Sequence, residues 1–194
     1  VGHHAQITHE LVFEAKNLPA LGFTTFFVTK SNTKSTVENG KAVATNAAGD
    51  LLLKGHNFEA VVDHKSGQLK AISRAGKSHQ VAQSWAYYPG KHSSAYEFCP
   101  SGGSVDLSGG SKLIHSAQFE GFAEVTVQVN EWIWQTMRVY ADRDYVELDQ
   151  TIGPVADGDH ISKEVITRFT TDLKSKGVFY TDANGRQDVR KCFL

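Results

Sequence analysis

Nine histidines among 194 residues make metal chemistry the first thing to look for. A metal site needs ligands that converge, such as two His one helical turn apart or a tight His/Cys cluster. Here His3, His4, His9, His56, His64, His79, His92, His115 and His160 are scattered. On a strand the adjacent His3 and His4 point in opposite directions, so the set reads as solvated or core histidines. Glu131 and Glu164 have no carboxylate neighbour at a spacing that would mark an acid/base pair. Trp132 and Trp134 sit two apart, on one face of an extended segment. Such a pair either fills a core or stacks against the apolar face of a sugar ring. Asp182, Asn184 and Arg186 form a polar turn behind an aromatic strand, and Asn184-Gly185 is hairpin-turn chemistry in its own right. Cys99 and Cys192 either pair or remain thiols; two cysteines make no disulfide framework.

The elements that must position these residues are strands. Glu10–Lys16 and Phe23–Thr29 are rich in β-branched and aromatic residues and are separated by the turn-forming stretch 17–22. Ser31–Gly49 is polar and small, with turn candidates at Asn39-Gly40 and Asn46–Gly49, and reads as a linker or loose hairpin. Asn57–Val62, Asp63–Gly67 and Gln68–Ser73 spell strand, turn, strand. Pro100–Ser111 is rich in Gly and Ser and is expected to be a mobile surface loop. In 124–130, Val125, Val127 and Val129 alternate with polar residues, the mark of a half-buried strand. Trp132 and Trp134 continue the alternation, Ala141–Asp144 turns, and Tyr145–Asp149 opens the next strand. No apolar period of 3.6 is sustained. The expectation is an all-β fold of packed sheets, with residues 1–49 as a small β-sandwich portion and linker and residues 50–194 as a larger sandwich.

Composition excludes several classes of function. With 40% hydrophobic and 21% charged residues the chain has an ordinary globular balance and enough apolar mass for a core. Twenty Lys+Arg against twenty-one Asp+Glu, a net charge of -1, offers nothing to nucleic acid or to an anionic membrane. No apolar run reaches the ~20 residues that cross a bilayer. The sequence begins Val1-Gly2-His3-His4 without an initiator Met or a signal-peptide pattern, and it holds no N-glycosylation sequon.

Ile152-Gly153-Pro154-Val155, then Ser162–Phe169, then Gly177–Arg186 follow one another in an order and spacing that resemble the class II α-mannosidases, glycoside hydrolase family 38. That family places an "IGP" element before a "KEV-I-RF-T" strand and a "FYTDSNGRE"-like turn. Ser94–Pro100 is similar to its "SGAYIFRP" element, Asp63–Leu69 to its "D-x-x-T-G-L" hairpin, and Ala20–Thr25 to its "ALGFTTY" strand. The resemblance runs from about residue 10 to residue 191, closest in flavour to the lysosomal or vacuolar branch. It departs at Cys192-Phe193-Leu194, where family members continue with further β structure.

The resemblance implies that residues 50–194 are the first part of a galactose-mutarotase-like sandwich. It implies a zinc-dependent retaining hydrolysis of terminal α-mannosides from N-glycan-type oligosaccharides, carried out by a catalytic domain upstream of Val1. The zinc ligands and the nucleophile belong to that domain, so this chain is expected to have no cofactor and no catalytic residue of its own. A retaining glycosidase needs two carboxyls roughly 5 Å apart, and none is assigned here. Substrate-binding candidates are Tyr96, the tyrosine of the "GAY" element, then Arg186 and Asp182 facing the catalytic domain, and Trp134 as a stacking ring. Expected partners are the catalytic chain or domain of the same enzyme and mannose-containing glycans, without nucleic acid or membrane; a homo-oligomer is the other way to cover its strand edges. The expected compartment is lysosomal, vacuolar or secreted. A stand-alone lectin-like module or an inactive interaction domain is the competing reading.

Overall fold

The computed structural model describes residues 13, 15–30, 40–91 and 96–192. The chain divides into two compact units, residues 1–39 and 40–194.

In the first unit residues 23–29, expected as a strand, pair with no strand among the described residues. Phe23 and Phe27 are 88% and 89% exposed, although the rings of Phe13 and Phe26 approach to 5.4 Å. β-Branched and aromatic residues favour a pleated surface only when a ladder partner and a buried face are available. Most of the companion strand expected over 10–16 lies outside the described residues, as do residues 31–39 of the expected linker.

The second unit is all-β. In chain order its strands are β1 (Ala44–Thr45), β2 (Leu51–Lys54), β3 (Phe58–Val62), β4 (Leu69–Arg74), β5 (Lys77–Gly90) and β6 (Val105–Asp106). After a single 3-10 turn at Ser108–Gly110 come β7 (Lys112–Gln118), β8 (Phe122–Asn130), β9 (Ile133–Tyr140), β10 (Val146–Ile152), β11 (Ser162–Thr171), β12 (Val178–Asp182) and β13 (Asp188–Cys192). One sheet runs β1-β2-β3-β4-β5-β11 with β6 beside β5, a second runs β10-β9-β8-β7, and β12-β13 form a separate hairpin.

Period-two patterning explains how the two large sheets pack. Phe58, Ala60 and Val62 of β3 point inward, as do Val125, Val127 and Val129 of β8 and Ile133, Met137 and Val139 of β9. Together with Leu53, Leu69, Val81 and Trp85 they make one core. Each full burial of such an aliphatic side chain is worth roughly 1.5–3 kcal/mol. The β3–β4 hairpin forms where the sequence put it. Asp63 accepts from Ser66 N and Ser66 Oγ at 2.8 and 3.0 Å, and Gly67 adopts φ +65. A Cβ on Gly67 would lie 2.3 Å from Val127 Cγ2, so the turn is pressed directly against the facing sheet.

Residues 40–49 are held in this unit. Lys41 bridges to Gln118, Val43 is 6% exposed in the core, and β1 pairs with β2 through a turn capped by Asn46 Oδ1. The segment Pro100–Ser111 is not the loose loop its composition suggests. Ser108 Oγ accepts from Trp85 N at 2.9 Å, Leu107 N donates to Trp85 O at 2.8 Å, and Leu107 packs on the core. A hydroxyl and one leucine tie the loop to β5.

Two of the edge strands, β10 and β11, leave an edge open. Among the described residues β10 pairs only with β9 and β11 only with β5. Their core-facing sides are incompletely covered, with Ile152 at 42% and Phe169 at 41% exposure. Between the sheets on this side the contacts are amides. Gln83 Nε2 donates to Gln135 Oε1 at 2.7 Å, Gln135 Nε2 to Gln83 Oε1 at 3.1 Å, and Gln150 Nε2 to Gln135 Oε1 at 2.9 Å.

Candidate functional site

The residues singled out from the sequence stand on three separate elements, and no hydrogen bond, ion pair or ring contact among the described residues joins them. Tyr96 is fully exposed, in the loop after β5. The base of that loop is pinned by Lys91 N to Cys99 O at 2.7 Å and Ser101 N to Pro89 O at 2.8 Å; its residues 92–95 lie outside the described ones. Asp182 and Arg186 occupy the β12–β13 turn. Asp182 Oδ2 accepts from Gly185 N at 2.8 Å, and Asn184 and Gly185 take φ 54 and φ 66, the left-handed pair that a tight hairpin requires. Arg186 is exposed in the turn.

Trp132 and Trp134 do not share a face. β9 begins at Ile133, so Trp132 lies in the turn and packs against the core, while Trp134 points outward at 38% exposure. A register shift between Gln128 and Asn130 lets the hairpin turn absorb Trp132 instead of extending the strand.

Sequence reading missed two charged clusters, because cross-strand register creates them. The first joins β2 to β4. Asp50 is 4% exposed; it takes a 3.0 Å hydrogen bond from Lys70 Nζ and faces His64 Nδ1 at 3.7 Å. Lys70 also reaches Asp63 at 3.7 Å. The Lys70 hydrogen bond, against the opposing effect of burial, holds the Asp50 carboxyl below its ordinary value of 3.8. The same contact raises Lys70 above 10.5. Asp63 is lowered chiefly by the Ser66 N–H. Beside this cluster opens a cleft of about 480 Å³, lined by Asp63, Gln68, Lys70, Gln80, Gln83 and Asp172, among others.

The sign of the pH effect follows from these directions. A depressed carboxyl contributes stability above its unfolded value, and that stability is lost as pH falls through the folded value. A raised lysine contributes below its unfolded value and loses the contribution as pH rises through the folded one. The pair is therefore fully formed between 3.8 and 10.5. Asp50→Asn is expected to lower Tm at neutral pH, and the gap to the parent is expected to narrow as pH falls below about 5. Calorimetry over that range checks it; a constant gap would show that Asp50 is not a linked group.

The second cluster lies on the outer face of the β7–β10 sheet. Glu124 is 4% exposed and directly opposite Arg138, whose Nε donates to it at 3.0 Å. Arg138 Nη1 also faces Glu147 and Asp149, each at 3.6 Å. Burial works against the charged guanidinium, but Glu124 outweighs it and Arg138 is raised above its ordinary value. Tyr140 is raised by burial and by its 3.1 Å hydrogen bond to Glu147. Among the described residues no three of His, Cys, Asp and Glu come together as a metal would need.

Comparison with known proteins gives this geometry a family. The family profile described as "Glycosyl hydrolases family 38 C-terminal domain" matches residues 53–192. An α-mannosidase of Arabidopsis thaliana is 32% identical over 193 residues, which is 94% of this chain and 19% of that protein. The α-mannosidase of Canavalia ensiformis is 28% identical over 187 residues, 90% of this chain and 19% of its own length. The lysosomal α-mannosidase of Mus musculus is 31% identical over 198 residues, again 94% and 19%. The chain thus spans about a fifth of the length of the curated relatives it matches. An all-β sandwich matched to the profile over residues 53–192 places the chain in glycosyl hydrolase family 38, in its C-terminal domain.

Proposed function

We propose that this chain is the non-catalytic β-sandwich portion of an α-mannosidase, and that a catalytic chain or domain of the same enzyme covers its open side. The observation that carries the reading is the pair of edge strands β10 and β11, each paired on one side alone among the described residues, with Ile152 on the first and Phe169 on the second half-exposed. An open edge flanked by apolar side chains is a template for another strand or another chain. The whole enzyme would remove terminal α-mannosides from N-glycan-type oligosaccharides, with zinc held in the catalytic portion, as the family resemblance implies. Tyr96, Asp182 and Arg186, exposed on a pinned loop and a tight hairpin, are its candidates for reaching that neighbour or its substrate. The names of the lysosomal relatives in mouse and human support a lysosomal or vacuolar setting. No helix among the described residues is long and apolar enough to cross a membrane.

Purification of the endogenous protein tests this. Native mass spectrometry is expected to find a catalytic polypeptide with this sandwich, together with zinc and turnover of an aryl α-mannoside. The pure 194-residue chain is expected to show no turnover. Activity of the pure chain, or an endogenous homo-oligomer lacking any catalytic polypeptide, would overturn the proposal.

A further inference from the structure

Even-numbered side chains of β8 and β9 face away from the core, because Val125, Val127, Ile133 and Met137 point into it. The ladders set Trp134 between Gln128 of β8 and Thr151 of β10. Trp134 is a large ring, 38% exposed, and the Gln128 and Thr151 side chains beside it make no hydrogen bond within the described residues. In the next row along the strand the hydroxyls of Thr126 and Thr136 lie 3.0 Å apart. One donates to the other, which leaves the second O–H available. Asp149, opposite Thr136, is a 62% exposed carboxylate only loosely paired with Arg138 at 3.6 Å.

Uncommitted amide, hydroxyl and carboxylate groups around an aromatic face suit a ring with one apolar side and a rim of hydroxyls. The charges narrow the class further. The guanidinium of Arg138 is already shared among Glu124, Glu147 and Asp149, and Lys112 beside Gln128 is the other cation on this face, so the face carries no positive excess to draw an anionic ligand. Tyr140 lies on the same face six positions along β9, about 20 Å from Trp134 at ordinary strand rise, and its ring is 6.5 Å from Tyr145, which is 48% exposed. Aromatic rings at both ends with polar groups between them fit a chain of sugars better than a single one.

We infer that the outer face of the β7–β10 sheet docks a neutral mannose oligosaccharide, with the Trp134 indole stacked on one pyranose. The neutral, polyhydroxylated ligand is read from the face; the choice of mannose rests on the proposed function above. The site would hold substrate glycans to the protein through a surface that takes no part in bond cleavage.

The test is a titration of the isotope-labelled 194-residue chain with α-linked mannotriose, followed through the indole N–H signals of Trp85, Trp132 and Trp134. The Trp134 signal is expected to move with saturation below roughly 10 mM sugar, while that of the buried Trp85 stays in place. Trp134→Ala is expected to raise the Kd roughly tenfold, and Trp134→Phe to keep most of the affinity. Circular dichroism confirms that each variant retains its strands. No movement of Trp134 at saturating sugar, or equal binding by Trp134→Ala, overturns the inference; so does binding of a sulfated oligosaccharide in place of the neutral one. Because the experiment reads binding and not turnover, its failure would leave the mannosidase reading standing, to be judged on its own experiment.

Discussion

Trp85→Ala is expected to lose about 3–5 kcal/mol of stability, whereas Trp85→Phe is expected to lose less than about 1.5 kcal/mol. Trp85 is 1% exposed and is the largest fully buried side chain among the described residues. Removing the indole leaves a cavity that the surrounding strands cannot close, since β5 is pinned here from both sides. Its backbone N–H donates to Ser108 Oγ and its carbonyl accepts from Leu107 N, while β11 pairs with it through Thr167. The indole Nε1 has no hydrogen-bond partner. A buried donor without an acceptor costs about 1–3 kcal/mol, so phenylalanine removes an orphan group while keeping most of the ring. Urea unfolding midpoints of the three proteins check this. For a chain of this size, each kcal/mol moves Tm by roughly 2–4 °C, so the alanine variant should melt roughly 10 °C lower. If Trp85→Phe cost as much as Trp85→Ala, the indole N–H would have to be satisfied.

The strand pattern was legible where apolar and polar residues alternated without interruption, as in β8, and where turn chemistry was explicit, as at Asp63–Gly67 and Asn184-Gly185. It failed where one sequence supports two phases. In 132–140 the even phase offers Trp132, Trp134 and Tyr140, and the odd phase offers Ile133, Met137 and Val139 with Gln135 between them. The odd phase is the buried one, and the Gln135 amide is part of the interior. Of the candidate site, residue type alone picked out Trp134, but its supposed companion Trp132 belongs to the turn. The Asp50–Lys70 and Glu124–Arg138 pairs were invisible for a different reason. Each depends on which residues face one another across strands, and register is fixed by turns and bulges that composition does not reveal. Loop segments were misjudged in both directions. Glycine and serine made Pro100–Ser111 look mobile, yet Ser108 locks it to Trp85; aromatic content made Phe23–Thr29 look like a strand, yet no sheet among the described residues receives it.

Gln135→Leu is the second large effect, and it is expected to be repaired in part by a further substitution. Gln135 is 2% exposed and Gln83 4%. They exchange two hydrogen bonds across the sandwich, while Gln150 adds a third and Thr167 Oγ1 a fourth contact to Gln83 at 3.3 Å. Leucine at position 135 leaves the Gln83 amide facing hydrocarbon and deprives Gln150 of its acceptor. The expected cost is roughly 2–4 kcal/mol, because orphaned buried polar groups keep their desolvation penalty without a partner's return. Replacing both ends removes the two facing amides together but still leaves Gln150 Nε2 and the Leu69 N–H, which donates to Gln83 Oε1 at 3.3 Å, without an acceptor, so Gln83→Leu combined with Gln135→Leu should recover only part of the loss. A double-mutant cycle from denaturant unfolding measures that coupling directly; additive losses would mean that the amides act independently. The network also lies on the side where β10 and β11 have open edges. An interior built of hydrogen-bonded amides tolerates water at these edges better than aliphatic packing would.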